Sequence, residues 1–201
     1  MNVKFSTALI AAFSVSGCAS MADSMSQFAG LGVVKQETST FDNATIITAS
    51  PTFLYAKGGA WGSNSVKLGA RWSSASPDSV ALILAYDSNV SGYGSAYLGL
   101  TGIDINVDGD ISSHAAGGST SLDSSGYNTV SKTIYTSSKN AVVIPYALLE
   151  RMVAAKDCRL RVHTSKGYED AQFSVERIPG GQGTAILAIK ELMAKVAAVK
   201  G

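Results

Sequence analysis

The pattern that most constrains this chain is a strict alternation of apolar and polar side chains. Between residues 66 and 73 every second side chain is apolar, from Val66 to Trp72, and the residues between them are polar or glycine. Successive side chains of a β-strand point to opposite faces, so this pattern predicts a strand with one buried face. Residues 80–86 are apolar at every position and predict a strand in the middle of a sheet. Further strands are predicted over 45–56, 96–107, 128–136, 140–144, 158–163 and 168–177.

Two amphipathic helices are predicted after most of the strands. Pro145 suits the first turn of a helix, since its missing N–H would have no partner there, and an apolar stripe follows over 148–153. Thr184 is a favourable N-cap for a second helix that runs to about residue 198. Runs of strands followed by helices favour an α+β class over a parallel α/β sheet. The chain is therefore predicted to form an antiparallel β-rich sheet or sandwich of about seven strands with two late amphipathic helices.

Composition supports this class and excludes two others. Only 15% of the residues are charged and 46% are hydrophobic, so the chain lacks the low hydrophobicity and high net charge of disordered proteins. The 16 basic and 15 acidic side chains nearly balance, and no basic stripe is interleaved with aromatic residues. Nucleic-acid binding is therefore not expected.

The first residues have the form of a secretory signal. Lys4 provides a positive charge, and the apolar run over 5–15 that follows it is too short to span a bilayer as a helix. The run ends in Val15-Ser16-Gly17-Cys18, which resembles the lipobox of bacterial lipoproteins: an apolar residue, two small residues and a cysteine. In that family the cysteine thiol is diacylated, the preceding peptide is removed and the new amine is acylated.

The resemblance implies a lipid anchor at Cys18 and a location on the periplasmic face of the outer membrane. Ala19, not aspartate, follows the cysteine, which resembles the Gram-negative lipoproteins that are sorted to that membrane. No later segment has about 18 consecutive apolar residues, so no transmembrane helix is expected. The expected organisation is a signal peptide over 1–17, a lipidated N-terminus and tether over 18–43, and a single β-rich domain over 44–201.

The second cysteine has no disulfide partner if Cys18 carries lipid, because the chain has only these two cysteines. Alternation places Cys158 with Leu160 and Val162 on the apolar side of a strand. Cys158 is therefore predicted to be a core cysteine.

A candidate calcium loop lies over 104–110. Asp104, Asn106, Asp108 and Asp110 match the first half of an EF-hand loop, D-x-[DN]-x-[DN]-G, in which oxygen ligands alternate before a sharp turn at glycine. Position 12 of that loop is Ala115, so the bidentate glutamate is missing, and no helix pattern flanks the motif. The alternative is a strand that ends in an Asp108-Gly109 hairpin turn. Ca²⁺ is the only cofactor that the sequence brings into consideration.

A second candidate site consists of Arg159, Arg161 and His163, which alternation places together on the outer side of one strand. They could bind an anionic head group or an acidic partner. A hairpin over 158–177 would instead pair Arg161 with Asp170 on the outer face and leave an ordinary polar surface.

The sequence favours a non-catalytic binding or scaffolding lipoprotein of the cell envelope, with the membrane and an envelope protein as its partners. The first alternative is a lipoprotein that binds calcium or a small ligand at the Asp104–Asp110 turn. The second is a hydrolase, although the chain has only two histidines and no G-x-S-x-G motif for an activated serine.

Overall fold

The computed structural model describes residues 14–59, 63–90 and 96–201, and for residues 14–20 it describes the backbone only. Residues 1–13 of the predicted signal peptide lie outside the described residues.

Ten strands and three helices are present in these described ranges. The helices are α1 (Ser14–Phe28), α2 (Tyr146–Ala154) and α3 (Ala185–Lys200). The strands are β1 (Val34–Thr38), β2 (Thr45–Thr52), β3 (Val66–Ser73), β4 (Ser79–Asn89), β5 (Leu100–Val107), β6 (Asp110–Ala115), β7 (Ser121–Ser124), β8 (Tyr135–Pro145), β9 (Cys158–Thr164) and β10 (Gly167–Gln172). Every pairing between them is antiparallel. The α+β, β-rich fold class predicted from the sequence is confirmed.

A six-stranded sheet has the order β1-β2-β3-β4-β8-β7. Its centre forms where the sequence alternates most clearly: Leu68 pairs with Leu84, and Trp72 pairs with Val80. The apolar members of β3 are buried, whereas Arg71 between them is exposed. A bulge in β2 lies between Ala49 and Thr52, and it passes so close to Gly69 that any side chain there would meet the Ala49 carbonyl. The predicted break at Pro51 is therefore a bulge within one strand.

A four-stranded sheet has the order β10-β9-β5-β6. The predicted β9–β10 hairpin is present, with Arg161 opposite Asp170. The core is formed by the apolar faces of both sheets together with the two later helices, and its largest fully buried side chains include Trp72, Phe173 and Leu149. Helix α3 packs on β2 and β3, and α2 packs on β4 and β8, close to where β5 and β6 approach β8. One continuous core thus joins the two sheets and helices α2 and α3.

The described residues contain ten strands, more than the approximately seven that were predicted. Strands β1, β6 and β7 lie at sheet edges and are largely exposed, so they lack the apolar alternation by which strands are recognised. Residues 18–43, predicted as a tether, contain most of α1 and all of β1, which is bonded to β2. The strand predicted over 128–136 begins only at Tyr135, after a turn in which Asn128 and Thr133 bond each other.

Candidate functional site

Charged side chains are concentrated on the outer surface of the four-stranded sheet. Cys158, Leu160 and Val162 of β9 are buried, whereas Arg159 and Arg161 are exposed and His163 is half-buried. Strand pairing places Arg161 between Asp104 of β5 and Asp170 of β10. We refer to Asp104, Arg159, Arg161, His163 and Asp170 as the charged face.

Each basic side chain of the charged face has a carboxylate partner. Arg161 donates two hydrogen bonds to Asp170, at 2.7 and 2.9 Å. The Nε2 atom of His163 lies 2.9 Å from Oδ2 of Asp104, and an Arg159 nitrogen lies 2.8 Å from Asp157. The structure therefore brings the predicted anion-binding residues together, but each of them already lies beside a carboxylate. An anionic ligand would meet a carboxylate next to each of these basic side chains.

Hydrogen bonds keep the carboxylates of the charged face ionised. The bidentate hydrogen bond from Arg161 is the largest influence on Asp170 and lowers its pKa. A hydrogen bond from Ser113, and after it the one from His163, lowers the pKa of Asp104 against the opposing effect of burial. The guanidinium of Arg161 also stacks on the Tyr168 ring, 4.0 Å from its centroid. The face is thus a fixed pattern of both charges at neutral pH.

An open groove of about 710 Å³ runs along the charged face. Its lining includes Asn106 and Arg159 of the sheet and, as a separate wall, Tyr55 and Lys57 from the segment after β2. The Tyr55 carbonyl accepts a hydrogen bond from the Gln172 amide, so this wall is attached to the edge of β10. Sequence reasoning missed the wall, because nothing in residues 53–57 shows that they cross to the other sheet.

The predicted calcium loop is a β-hairpin. Strands β5 and β6 are joined by Asp108 and Gly109, whose φ angles of +51° and +100° are the positive values that a two-residue type I′ turn requires. Asn106 Oδ1 accepts a hydrogen bond from the Gly109 amide, 2.8 Å away, which fixes the turn from within.

The four proposed calcium ligands have separate partners. Asp104 pairs with His163, Asp108 accepts a hydrogen bond from the Asp157 amide at 2.9 Å, and Asp110 pairs with Arg151 at 2.6 Å. In the part of the chain that the structure describes, no group of three or more His, Cys, Asp or Glu side chains is placed to hold a metal ion. The geometry of residues 104–110 is therefore that of the alternative prediction, a strand that ends in an Asp108-Gly109 hairpin turn.

The thiol of Cys158 is fully buried, as predicted. Burial, with the nearby charge of Asp157, raises its pKa to about 12. A buried, protonated thiol is a weak nucleophile, so Cys158 has a packing role.

Helix α1 is attached to the segment between β10 and α3 by a contact that could not be predicted from the sequence. Both Asp23 carboxylate oxygens accept hydrogen bonds from Arg177, at 3.0 and 2.8 Å, and Oδ1 also accepts one from the Gly183 amide at 3.0 Å. The Arg177 hydrogen bond is the main reason that the pKa of Asp23 is lowered. Asp23 is the only charged residue in α1, which is the signal that could have drawn attention to it.

The structure places Cys18 within α1 and describes only its backbone. Among the described residues, no helix combines the length and apolar character needed to cross a membrane. Comparisons with protein-family models, with curated proteins and with solved structures each found no match.

Proposed function

We propose that this chain is a lipoprotein of the bacterial envelope, held at the periplasmic face of the outer membrane by acyl chains on Cys18. The observation that carries the proposal is the sequence Val15-Ser16-Gly17-Cys18 directly after a short apolar run. Each buried CH₂ of an acyl chain contributes about 0.8 kcal/mol, and one chain alone binds reversibly. Two or three chains on one cysteine would therefore hold the protein on the bilayer.

The β-rich body acts as a non-catalytic binding or scaffolding module, and the charged face is its contact surface. The support for this is that Asp104, Arg161 and Asp170 lie in one row on rigid strands and line an open groove. Fixed charges of both signs select a partner with the complementary pattern and disfavour partners with one sign of charge. An envelope protein with a mixed-charge surface fits this requirement.

A small ligand in the groove is the second candidate. The volume of about 710 Å³ is in the range of small-molecule sites, which is about 300–1,000 Å³. Such a ligand would carry both an anionic and a cationic group.

The anchor is tested by expressing the full chain in a Gram-negative host with radiolabelled palmitate. Wild-type protein is expected to incorporate label, to show the mass of the acyl chains and to float with membranes. The Cys18→Ser variant is expected to do none of these. Wild-type protein without acyl mass would contradict the proposed function.

The contact surface is tested by exchanging the two charges of one ion pair. The double variant Arg161→Asp/Asp170→Arg keeps the pair but reverses its direction, so it should fold and lose a partner crosslinked in intact cells. The matched control is Lys67→Asp/Asp87→Lys, which exchanges a 2.9 Å pair on the six-stranded sheet. If both variants retain the crosslinked partner, the charged face is not the contact surface.

A further inference from the structure

Helix α1 has an uncovered apolar stripe opposite the contact that attaches it to the body. Met21, Met25 and Phe28 are 65%, 71% and 96% exposed, whereas Asp23 is bonded to Arg177 and Gly183. At 100° per residue, these three positions and position 18 fall within an arc of about 80°, and position 23 lies opposite the centre of that arc. The stripe therefore shares a helix face with the cysteine proposed to carry lipid.

The distance from Cys18 to the body is too short for a free tether. Asp23 follows Cys18 by five residues, which span about 7.5 Å as a helix and about 17 Å even if fully extended. Asp23 is bonded to Arg177 and Gly183, which lie in the segment between β10 and α3, so it moves with the body. Acyl chains on Cys18 would therefore hold the body itself against the lipid headgroups.

We propose that the stripe of Met21, Met25 and Phe28 lies in the lipid headgroup region and fixes the orientation of the body on the membrane. The inference rests on the proposed lipidation of Cys18. Amphipathic helices at membrane surfaces bury their apolar face by about 5–10 Å. After the proposed removal of residues 1–17, the helix would begin at the anchored Cys18, so this depth is within its reach. The single charge of α1 is on the side turned to the body, so no charged residue of the helix has to enter the interface.

Nitroxide labels on acylated full-length protein test this orientation. In the Cys158→Ala background, a single cysteine replaces Met25 or Phe28, and Val130→Cys is the matched control, since Val130 is 92% exposed. Val130 follows β7 in the chain. Strand β7 is five positions away from β1 in the six-stranded sheet, which corresponds to about 24 Å between these two strands. Each protein is placed in vesicles of phosphatidylethanolamine and phosphatidylglycerol, and its acyl mass is measured. Collision with oxygen, which enters lipid, is then compared with collision with a water-soluble nickel chelate.

The expected result is that labels at 25 and 28 lose access to the nickel chelate and gain access to oxygen, while the label at 130 stays open to both. Acylated protein whose labels at 25 and 28 behave like the label at 130 overturns the inference and leaves the anchor intact. Loss of access to both reagents shows a protein contact, such as a second copy, and also overturns it. Absence of acyl mass overturns the proposed function and this inference together.

Discussion

At the scale of single residues, the ion pairs of the charged face contribute little to the stability of the fold. The side chains of Arg161 and Asp170 are 44% and 57% exposed, so water and salt screen their attraction. Exposed pairs of this kind contribute about 0.2–1 kcal/mol to the free energy of unfolding. Their bidentate geometry nevertheless fixes where each charge is presented.

Replacing Asp170 by asparagine is expected to lower the free energy of unfolding by about 0.5 kcal/mol near neutral pH. The pKa of Asp170 is lowered in the folded state, so its contribution is present above the usual pKa of aspartate. That contribution is lost as the pH falls through the folded-state pKa. The difference between wild type and variant should therefore vanish in strong acid.

Urea titrations at several pH values check this expectation. The control is Asp78→Asn, an exposed carboxylate for which the described residues provide no side-chain partner. A pH-independent difference between wild type and Asp170→Asn would contradict the ion-pair explanation.

At the scale of elements, the β5–β6 hairpin depends on backbone geometry at its turn. Asp108→Ala is expected to cost about 1–2 kcal/mol, because alanine is disfavoured at the +51° φ angle and cannot accept the hydrogen bond from the Asp157 amide. Asp108→Asn tolerates the same φ and keeps an acceptor, so it should be close to wild type. Thermal unfolding of the two variants distinguishes them.

The same pair of variants tests calcium. Because Asp104, Asp108 and Asp110 each have another partner, we expect no saturable heat when calcium is titrated into the wild type. A saturable heat that is lost in Asp108→Ala would support the calcium alternative in place of the hairpin.

The attachment of α1 is expected to fail when Arg177 is replaced by alanine. The loss of both hydrogen bonds to Asp23 should cost about 1 kcal/mol and should speed amide hydrogen exchange in α1 far more than elsewhere. Lys190→Ala is the matched control. Lys190 pairs with Glu176, the residue before Arg177, and not with Asp23. Equal protection of α1 in the two variants would show that the Arg177 contact does not hold the helix.

Elements with a buried apolar face could be predicted from the sequence, and elements held by backbone bonds could not. Strand β3 and helix α3 follow directly from their apolar positions. Residues 137–139 of β8 were not predicted as strand, and Thr136 and Ser138, the buried residues in and beside this stretch, are polar. Both are buried because their hydroxyls bond the backbone of 96–98, a segment distant in sequence.

In the candidate site, the Arg161–Asp170 pair was predictable from a local hairpin. The Asp104–His163 pair was not, because its prediction required knowing that β5 and β9 are neighbours.

At the scale of the whole molecule, Cys158 reports on global unfolding. It is fully buried in a core shared by both sheets, with a pKa raised to about 12. We expect no reaction with a thiol reagent at about pH 8 until urea unfolds the protein. The unfolded acylated protein should then show one thiol, and its Cys158→Ala variant none.

Rapid reaction without urea would contradict the burial of Cys158. Two thiols in the unfolded wild type would show that Cys18 is free, which would contradict the anchor independently of any membrane assay.

The contact between Asp23 and Arg177 joins positions 154 residues apart in the chain. It cannot form until the 154 residues that follow Asp23 have been synthesised as far as Arg177. Contacts between residues so distant in sequence form late, so α1 is expected to join the fold after the local β-hairpins. The order in which the chain is made thus leaves the docking of α1 dependent on a segment synthesised much later.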